Sequence, residues 1–285
     1  MRHSASKRTQ LVRIYDVLFV TILACLFTRF TTAKDATSSA TQLSTPFTDQ
    51  ITGLQMERFF GARTSFGFAL ATSTAANTTA PASSFIGQLT FPLVKGQGWG
   101  AMGLIGDMDG NFILAAWPDG KGGVMASFRQ ATNEDNPPEV TGSFSVRPLP
   151  GGVHANDTFF SYTFLCEACL DPALGWTVDA SGNAVMGWAL SAKSPQNPAD
   201  PGSFLDFHEQ GFGPFTARLS SAASLDFDKI AATAGPPVGA SPKAVKAVAG
   251  AAGGGSDEDD DSDKKKSGGK GGSSDDDDES DDEDD

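Results

Sequence analysis

The sequence predicts an all-β fold: an antiparallel β-sandwich followed by a disordered acidic C-terminal tail. Three observations predict it. Short segments of period-two alternation recur between residues 64 and 190, with Gly, Pro or Asn between them. The 285 residues include 21 Phe but only 2 Tyr, alongside 32 Gly and 16 Pro, a mixture of apolar aromatics and turn formers. No convincing amphipathic helix precedes Ala231.

In chain order, residues 1–33 are expected to be a signal peptide. Arg2, Lys7, Arg8 and Arg13 precede an apolar run from Val17 to Phe27, and Thr31-Thr32-Ala33 offers small residues for cleavage. That run is about half of the roughly 20 residues a spanning helix needs. A secreted, extracellular protein with no membrane attachment after cleavage is expected; the alternative is a signal-anchored protein at the cell surface. Residues 34–47 are rich in Ser, Thr and Ala and are expected to be a flexible N-terminus.

The sandwich domain is expected over residues 48–230. Thr64–Leu70 reads as a strand. Ser83–Phe91 places Phe85, Leu89 and Phe91 on one face. Thr141–Val146 alternates Phe144 and Val146 with Ser143 and Ser145. Thr158–Leu165 sets Phe160, Tyr162 and Phe164 against Ser161 and Thr163, and Asn183–Leu190 closes the series. Such alternation implies sheets buried on one face each. Phe112–Trp117 is apolar throughout and is expected to be a central strand.

Residues 231–285 are expected to be disordered, first Ala, Gly, Pro, Val and Lys, then acidic. From Ser256 onward sixteen acidic residues face four lysines, which accounts for most of the net charge of −14. Such a segment cannot bury enough apolar area to offset its chain entropy. No basic face is visible, so nucleic acid is excluded as a partner. The absence of a terminal apolar tail argues against a GPI anchor.

Trp99–Ile105 and Phe112–Trp117 flank the polar knot Gly106-Asp107-Met108-Asp109-Gly110, a strong hairpin signal. Met108 is out of place at its tip, because a thioether does not seek water. Either it tucks into the core or something apolar rests on it. Gly98, Gly100 and Gly103 satisfy GxGxxG, but they lead into a turn and a second strand rather than a helix, which sets aside a dinucleotide site. Cys166 and Cys169 lack a second CxxC for zinc and a thioredoxin-like context, so a local disulfide is expected. His154, in GGVHAND, reads as a solvated loop residue. His208 stands among Phe204, Phe207, Phe212 and Phe215. It suits either a satisfied core position or a flat apolar cofactor held by one nitrogen. Arg129 follows a strand and reads as solvated. No GxSxG or HExxH motif exists, so no hydrolase or dehydrogenase site is seen. Asn77 and Asn156 head N-glycosylation sequons.

Read together, the motifs between Phe47 and Phe215 resemble the haem-binding cytochrome domain of fungal cellobiose dehydrogenases, a DOMON-like iron reductase domain. FTDQITGLQM, SSFIGQLTFPL, the stretch from Trp99 through Met108 to Trp117, SFRQAT, YTFLCEACL, NAVMGWAL and SFLDFHEQGFG occur in the family's order. The resemblance implies haem b held by Met108 and His208 as axial iron ligands, with Trp99, Phe207 and Phe212 in the pocket and Cys166 and Cys169 as the disulfide. It implies a stand-alone b-type electron-transfer cytochrome, a one-electron relay with iron reductase activity as an option. Implied partners are extracellular flavin or quinone dehydrogenases, copper polysaccharide monooxygenases, Fe(III) and quinones. SFRQATNE departs from the family pattern by placing Gln130 for a Trp and Glu134 for a Tyr. A haemless DOMON-type sandwich that binds a carbohydrate or small aromatic ligand is the alternative.

Overall fold

A computed structural model describes residues 41–74, 83–132 and 136–249. The expected signal peptide, the acidic tail, Asn77 and Glu134 lie outside the described residues. Two sheets face each other. The first contains β1 (Gln42–Leu43), β6 (Trp99–Gly103), β7 (Phe112–Pro118), β8 (Val124–Gln130), β12 (Asn183–Ser191) and β13 (Gly211–Arg218), in the order β1-β13-β12-β6-β7-β8. The second contains β2 (Thr45–Thr48), β3 (Gln55–Gly61), β4 (Phe66–Ser73), β5 (Phe85–Pro92), β10 (Ser145–Ala155) and β11 (Phe159–Glu167), in the order β10-β11-β5-β4-β3-β2, with β14 (Ala223–Ser224) beside β4. Short β9 (Val140–Thr141) and β15 (Val245–Lys246) pair separately, and a one-turn helix α1 spans Phe227–Ala231. Pairing within the two large sheets is antiparallel except for β1 with β13 and β14 with β4. No helix among the described residues is long and apolar enough to cross a membrane.

The predicted alternation builds the shared core. Phe66, Phe68 and Leu70 of β4, Phe85, Leu89 and Phe91 of β5, and Phe160, Tyr162 and Phe164 of β11 all point inward. They meet Met102, Leu104, Leu114, Met186 and Phe215 from the opposite sheet. Phe215 stacks on Phe59 at 4.6 Å between ring centroids, which ties β13 to β3 across the interface. β7 lies between β6 and β8, as its unbroken apolar character predicts. The expected series lacked β3, β8 and β13, whose polar interruptions weaken their alternation.

Five expectations are corrected. Thr141–Val146 is not one strand: β9 ends at Thr141 and β10 begins at Ser145. The sheets are not buried on one face only. Leu54, Met56, Ile86, Leu165 and Phe227 form a second apolar layer outside the seven-stranded sheet, over the small residues Ala69 and Ala71. Ser161 and Thr163 are therefore buried too; Thr163 shares Gln88 Nε2 with Asp49. The segment expected to be loose, 34–47, contains β1 and most of β2, because Ser44 donates to the buried carboxylate of Glu57, itself paired with Arg218 at 3.1 Å. Residues 232–249, expected to be disordered, lie along the domain and form backbone hydrogen bonds with it. His154 is exposed as expected but sits on β10, which continues through a bulge between Pro148 and Val153 instead of ending in a loop. Cys166 and Cys169 form the expected disulfide.

Phe215→Ala removes the central cross-sheet ring. Urea unfolding is expected to show a loss of about 3–5 kcal/mol with an unchanged m-value.

Candidate functional site

Strand pairing sets where the site lies. β6 runs antiparallel to both β7 and β12, with Ala101 opposite Ala115 and Ala189, and Gly103 opposite Gly187. Trp99, Ala101, Ile113, Ala115 and Ala189 point away from the core, so the centre of the six-stranded sheet carries small side chains on its outer face. The β6–β7 turn rises at the Gly103 end of this face. The long β12–β13 connection starts at the other end, beside Trp99, because Ser191 pairs with Trp99. That connection folds back over the sheet and buries Leu205 against Trp99 and Trp117. Between turn and connection lies a cavity of about 260 Å³ lined by Trp99, Met108, Phe207, His208 and Phe212, among others. Met108 and His208, a hundred residues apart, reach it from opposite ends. The cavity therefore lies on the outer face of the six-stranded sheet.

Local hydrogen bonds explain how Met108 comes to be there. Asn111 is buried and serves as the hub of the turn. Its Nδ2 donates to the Ile105 and Asp107 carbonyls at 2.9 and 2.6 Å, and its Oδ1 accepts from Ile105 N–H at 3.2 Å. Its backbone N–H donates to the Met108 carbonyl. This fold-over needs bare backbone beneath it. A Cβ on Gly103 would stand 2.3 Å from Asn111 Nδ2, and one on Gly187 would stand 2.7 Å from the Ile105 carbonyl. Asp107 and Asp109 stay exposed while Met108 is half-buried between them.

His208 sits in an aromatic collar. Phe207 and Phe212 lie 4.4 and 4.3 Å from its ring, and Trp99 meets it edge-on at 6.5 Å. Burial lowers its pKa below the ordinary 6.5, against opposing contributions from its own backbone and Glu209, so the imidazole is neutral near pH 7. Glu209 turns away to anchor the connection. Burial works to raise its pKa, but bonds from Ser191 Oγ and Ala192 N–H outweigh that and hold the carboxyl below its usual range. Phe207 and Phe212 are exposed at 66% and 62%, unusual for two rings beside a cavity.

Arg129 is neither solvated nor directed at the cavity. It is 1% exposed, and its guanidinium donates to Ser127 Oγ and to the carbonyls of Pro137, Pro201 and Ser203 at 2.6–3.1 Å. Burial lowers its pKa to about 10, partly offset by Glu139 and Asp200, and it remains a cation at neutral pH. It thus secures the connection five residues before His208. Asn136 adds a bond from Leu205 N–H to its Oδ1 at 3.0 Å. Sequence reasoning missed Asn111 and Asn136; only the Asp-Gly-Asn run hinted at the first. The lining includes Asp107 and Asp206 but neither Lys nor Arg.

The donor set fits a flat apolar group that carries a soft metal-binding centre. A thioether and a neutral imidazole face one cavity. His208 Nδ1 and Trp99 Nε1 are buried there without hydrogen-bond partners from the protein, so both are free to meet a bound group. Asn156, the other sequon, lies exposed in the β10–β11 turn, where its Oδ1 accepts from Thr158 and Phe159 N–H.

Known proteins resemble this chain in sequence and fold. The sequence profile of the family described as the cytochrome domain of cellobiose dehydrogenase matches residues 47–229. A pyrroloquinoline quinone-dependent pyranose dehydrogenase of Coprinopsis cinerea is 30% identical over 195 residues, which is 65% of this chain but only 26% of that protein. The solved cytochrome domain of Myriococcum thermophilum cellobiose dehydrogenase superposes with a TM-score of 0.60 at 29% identity, covering 69% of this chain and 98% of that one. The cytochrome b domain of the Coprinopsis cinerea pyranose dehydrogenase gives 0.59 at 26% identity, covering 70% and 100%. With a family profile that spans well over half of its length and the matching β-sandwich, the chain belongs to the family of cellobiose dehydrogenase cytochrome domains.

Proposed function

We propose that the chain is a secreted one-electron carrier that holds haem b between Met108 and His208. The observation that carries the reading is the convergence of these two side chains on one apolar cavity from opposite ends of a sheet face. Family membership supports haem as the group. The cavity is just under the ~300–1,000 Å³ of enclosed organic-ligand sites, which suits a group that keeps one edge toward solvent. Haem held by Met108 and His208 would supply one-electron redox chemistry and not activation of oxygen or peroxide.

The protein's own residues do the rest. Burial keeps the His208 imidazole unprotonated and able to donate its lone pair. The Asn111 hub fixes the turn and thereby aims the Met108 sulfur. Phe207, Phe212 and Trp99 surround the imidazole with apolar rings and limit its orientation. Redox partners follow from the relatives. The pyranose dehydrogenase carries its similar cytochrome on a quinone-dependent enzyme, which supports an extracellular quinone or flavin dehydrogenase as donor. Copper polysaccharide monooxygenases, Fe(III) and quinones are the acceptors, and reduction of Fe(III) makes iron reductase activity measurable.

The optical spectrum of the haem-replete protein tests this reading. A sharp Soret band with split bands on reduction is expected, and their absence favours a haemless ligand-binding sandwich. Met108→His is expected to retain haem and lower the potential by a fraction of the roughly 0.8 V that axial ligands span. His208→Ala is expected to lose or loosen haem in a titration, whereas His154→Ala leaves it unchanged; the reverse order sinks the assignment. Asn111→Ala strands the Ile105 and Asp107 carbonyls. It is expected to lose about 1–3 kcal/mol in urea unfolding and to weaken haem retention.

A further inference from the structure

Beyond α1 the chain continues as an extended strap, and the family match ends at residue 229. Ala, Gly and Val give this strap little side chain to bury, so polar bonds hold it. Arg147 donates to the Ala234 and Gly235 carbonyls at 2.9 and 2.8 Å, and the Gly235 and Val238 N–H groups donate to the Pro148 and Val146 carbonyls. Farther on, the buried Glu139 carboxylate accepts from Ser241 N–H at 3.1 and 3.2 Å and from the Ser241 hydroxyl. β15 then pairs with β9. Gln130, buried at 3% exposure, closes the strap. Its Nε2 donates to the Val248 carbonyl and its Oε1 accepts from Val248 N–H, both at 2.8 Å.

The groups that grip the strap also face the connection that carries His208. A Cβ on Gly202 would stand 2.7 Å from Ser241 Oγ and 3.1 Å from Glu139 Oε2. Residues 197–201 and 239–243 wall the two sides of one shallow cleft. Glu139 bridges to Arg129 through the backbone, and Arg129 holds the Pro201 and Ser203 carbonyls. Strap, Glu139, Arg129 and connection form one continuous bonded stack. Without the strap, the Gly202 side of the connection would keep Glu139 but lose Ser241, its nearest neighbour outside the connection.

We propose that residues 232–248 are a brace that sets the position of the His208 connection, with Glu139 and Ser241 as its positioning pair. The brace rests on the haem reading only where the iron serves as reporter.

The test uses the full chain carrying Ser241→Ala, alone and combined with Gln130→Ala. Hydrogen exchange without haem comes first. The Ser203 and Leu205 amides, bonded to the Asp200 carbonyl and Asn136 Oδ1, are expected to exchange about tenfold faster or more, while β5 and β11 keep the parent rates. In the haem-loaded variants, carbon monoxide uptake by the reduced protein is expected to rise as His208 releases iron more often. Parent exchange rates at residues 196–208, whether or not the strap itself opens, overturn the brace. Faster exchange there without carbon monoxide uptake keeps the brace and removes His208 from the iron.

Discussion

A buried guanidinium organises the side of the molecule that carries the site. Taking Arg129 out of water costs several kcal/mol unless its donors are matched. Here three backbone carbonyls and one hydroxyl match them. The carbonyls belong to two stretches that lack regular structure of their own, around Pro137 and around Pro201–Ser203. Each would otherwise leave peptide oxygens buried without a donor, at about 1–3 kcal/mol apiece. The arginine and the loops therefore satisfy one another, and removing any member strands the rest. This mutual dependence lets a long connection lie flat over a sheet as if it were part of the fold.

The two proposed ligands are supported differently. Met108 hangs from a tight turn whose geometry is set within seven residues by Asn111. His208 hangs from a long excursion whose anchors come from β8, from Asn136 and from Glu209 against Ser191 and Ala192. Short-range anchoring makes the methionine side stiff. Long-range anchoring makes the histidine side sensitive to whatever packs on the far surface of the connection. Mechanical tuning of the site by the far side of the connection would therefore pass through the histidine.

Much of this was legible in the sequence. The Phe pattern of β4, β5 and β11, the β6–β7 hairpin and the aromatic setting of His208 are local signals, and local periodicity reports them well. The failures are equally physical. Ser161 and Thr163 alternate with aromatics as a solvated face would, yet both are buried on the face of the sheet that also carries a second apolar layer, and Thr163 meets Gln88 and Gly152 from neighbouring strands. Arg129 looked like a surface cation because two of its acceptors lie 72 and 74 residues away, and a carbonyl has no residue signature. The strap was misread for the same reason. Composition reports the burial of side chains, and this segment is held mainly through its backbone.

Electrostatics sharpens what kind of carrier the site would make. A methionine axial ligand raises an iron potential relative to two nitrogens. Were Met108 such a ligand, it would act inside a lining that holds Asp107 and Asp206 and no cation, while Arg129 is bonded to carbonyls behind the connection. Nearby negative charge favours the oxidised, more positive iron and would draw the potential down. The two influences would oppose each other. Carboxylates near solvent act through water and are screened by salt, whereas the sulfur would act through a bond. The ligand would therefore set the range of the potential, and the carboxylates would make it depend on ionic strength.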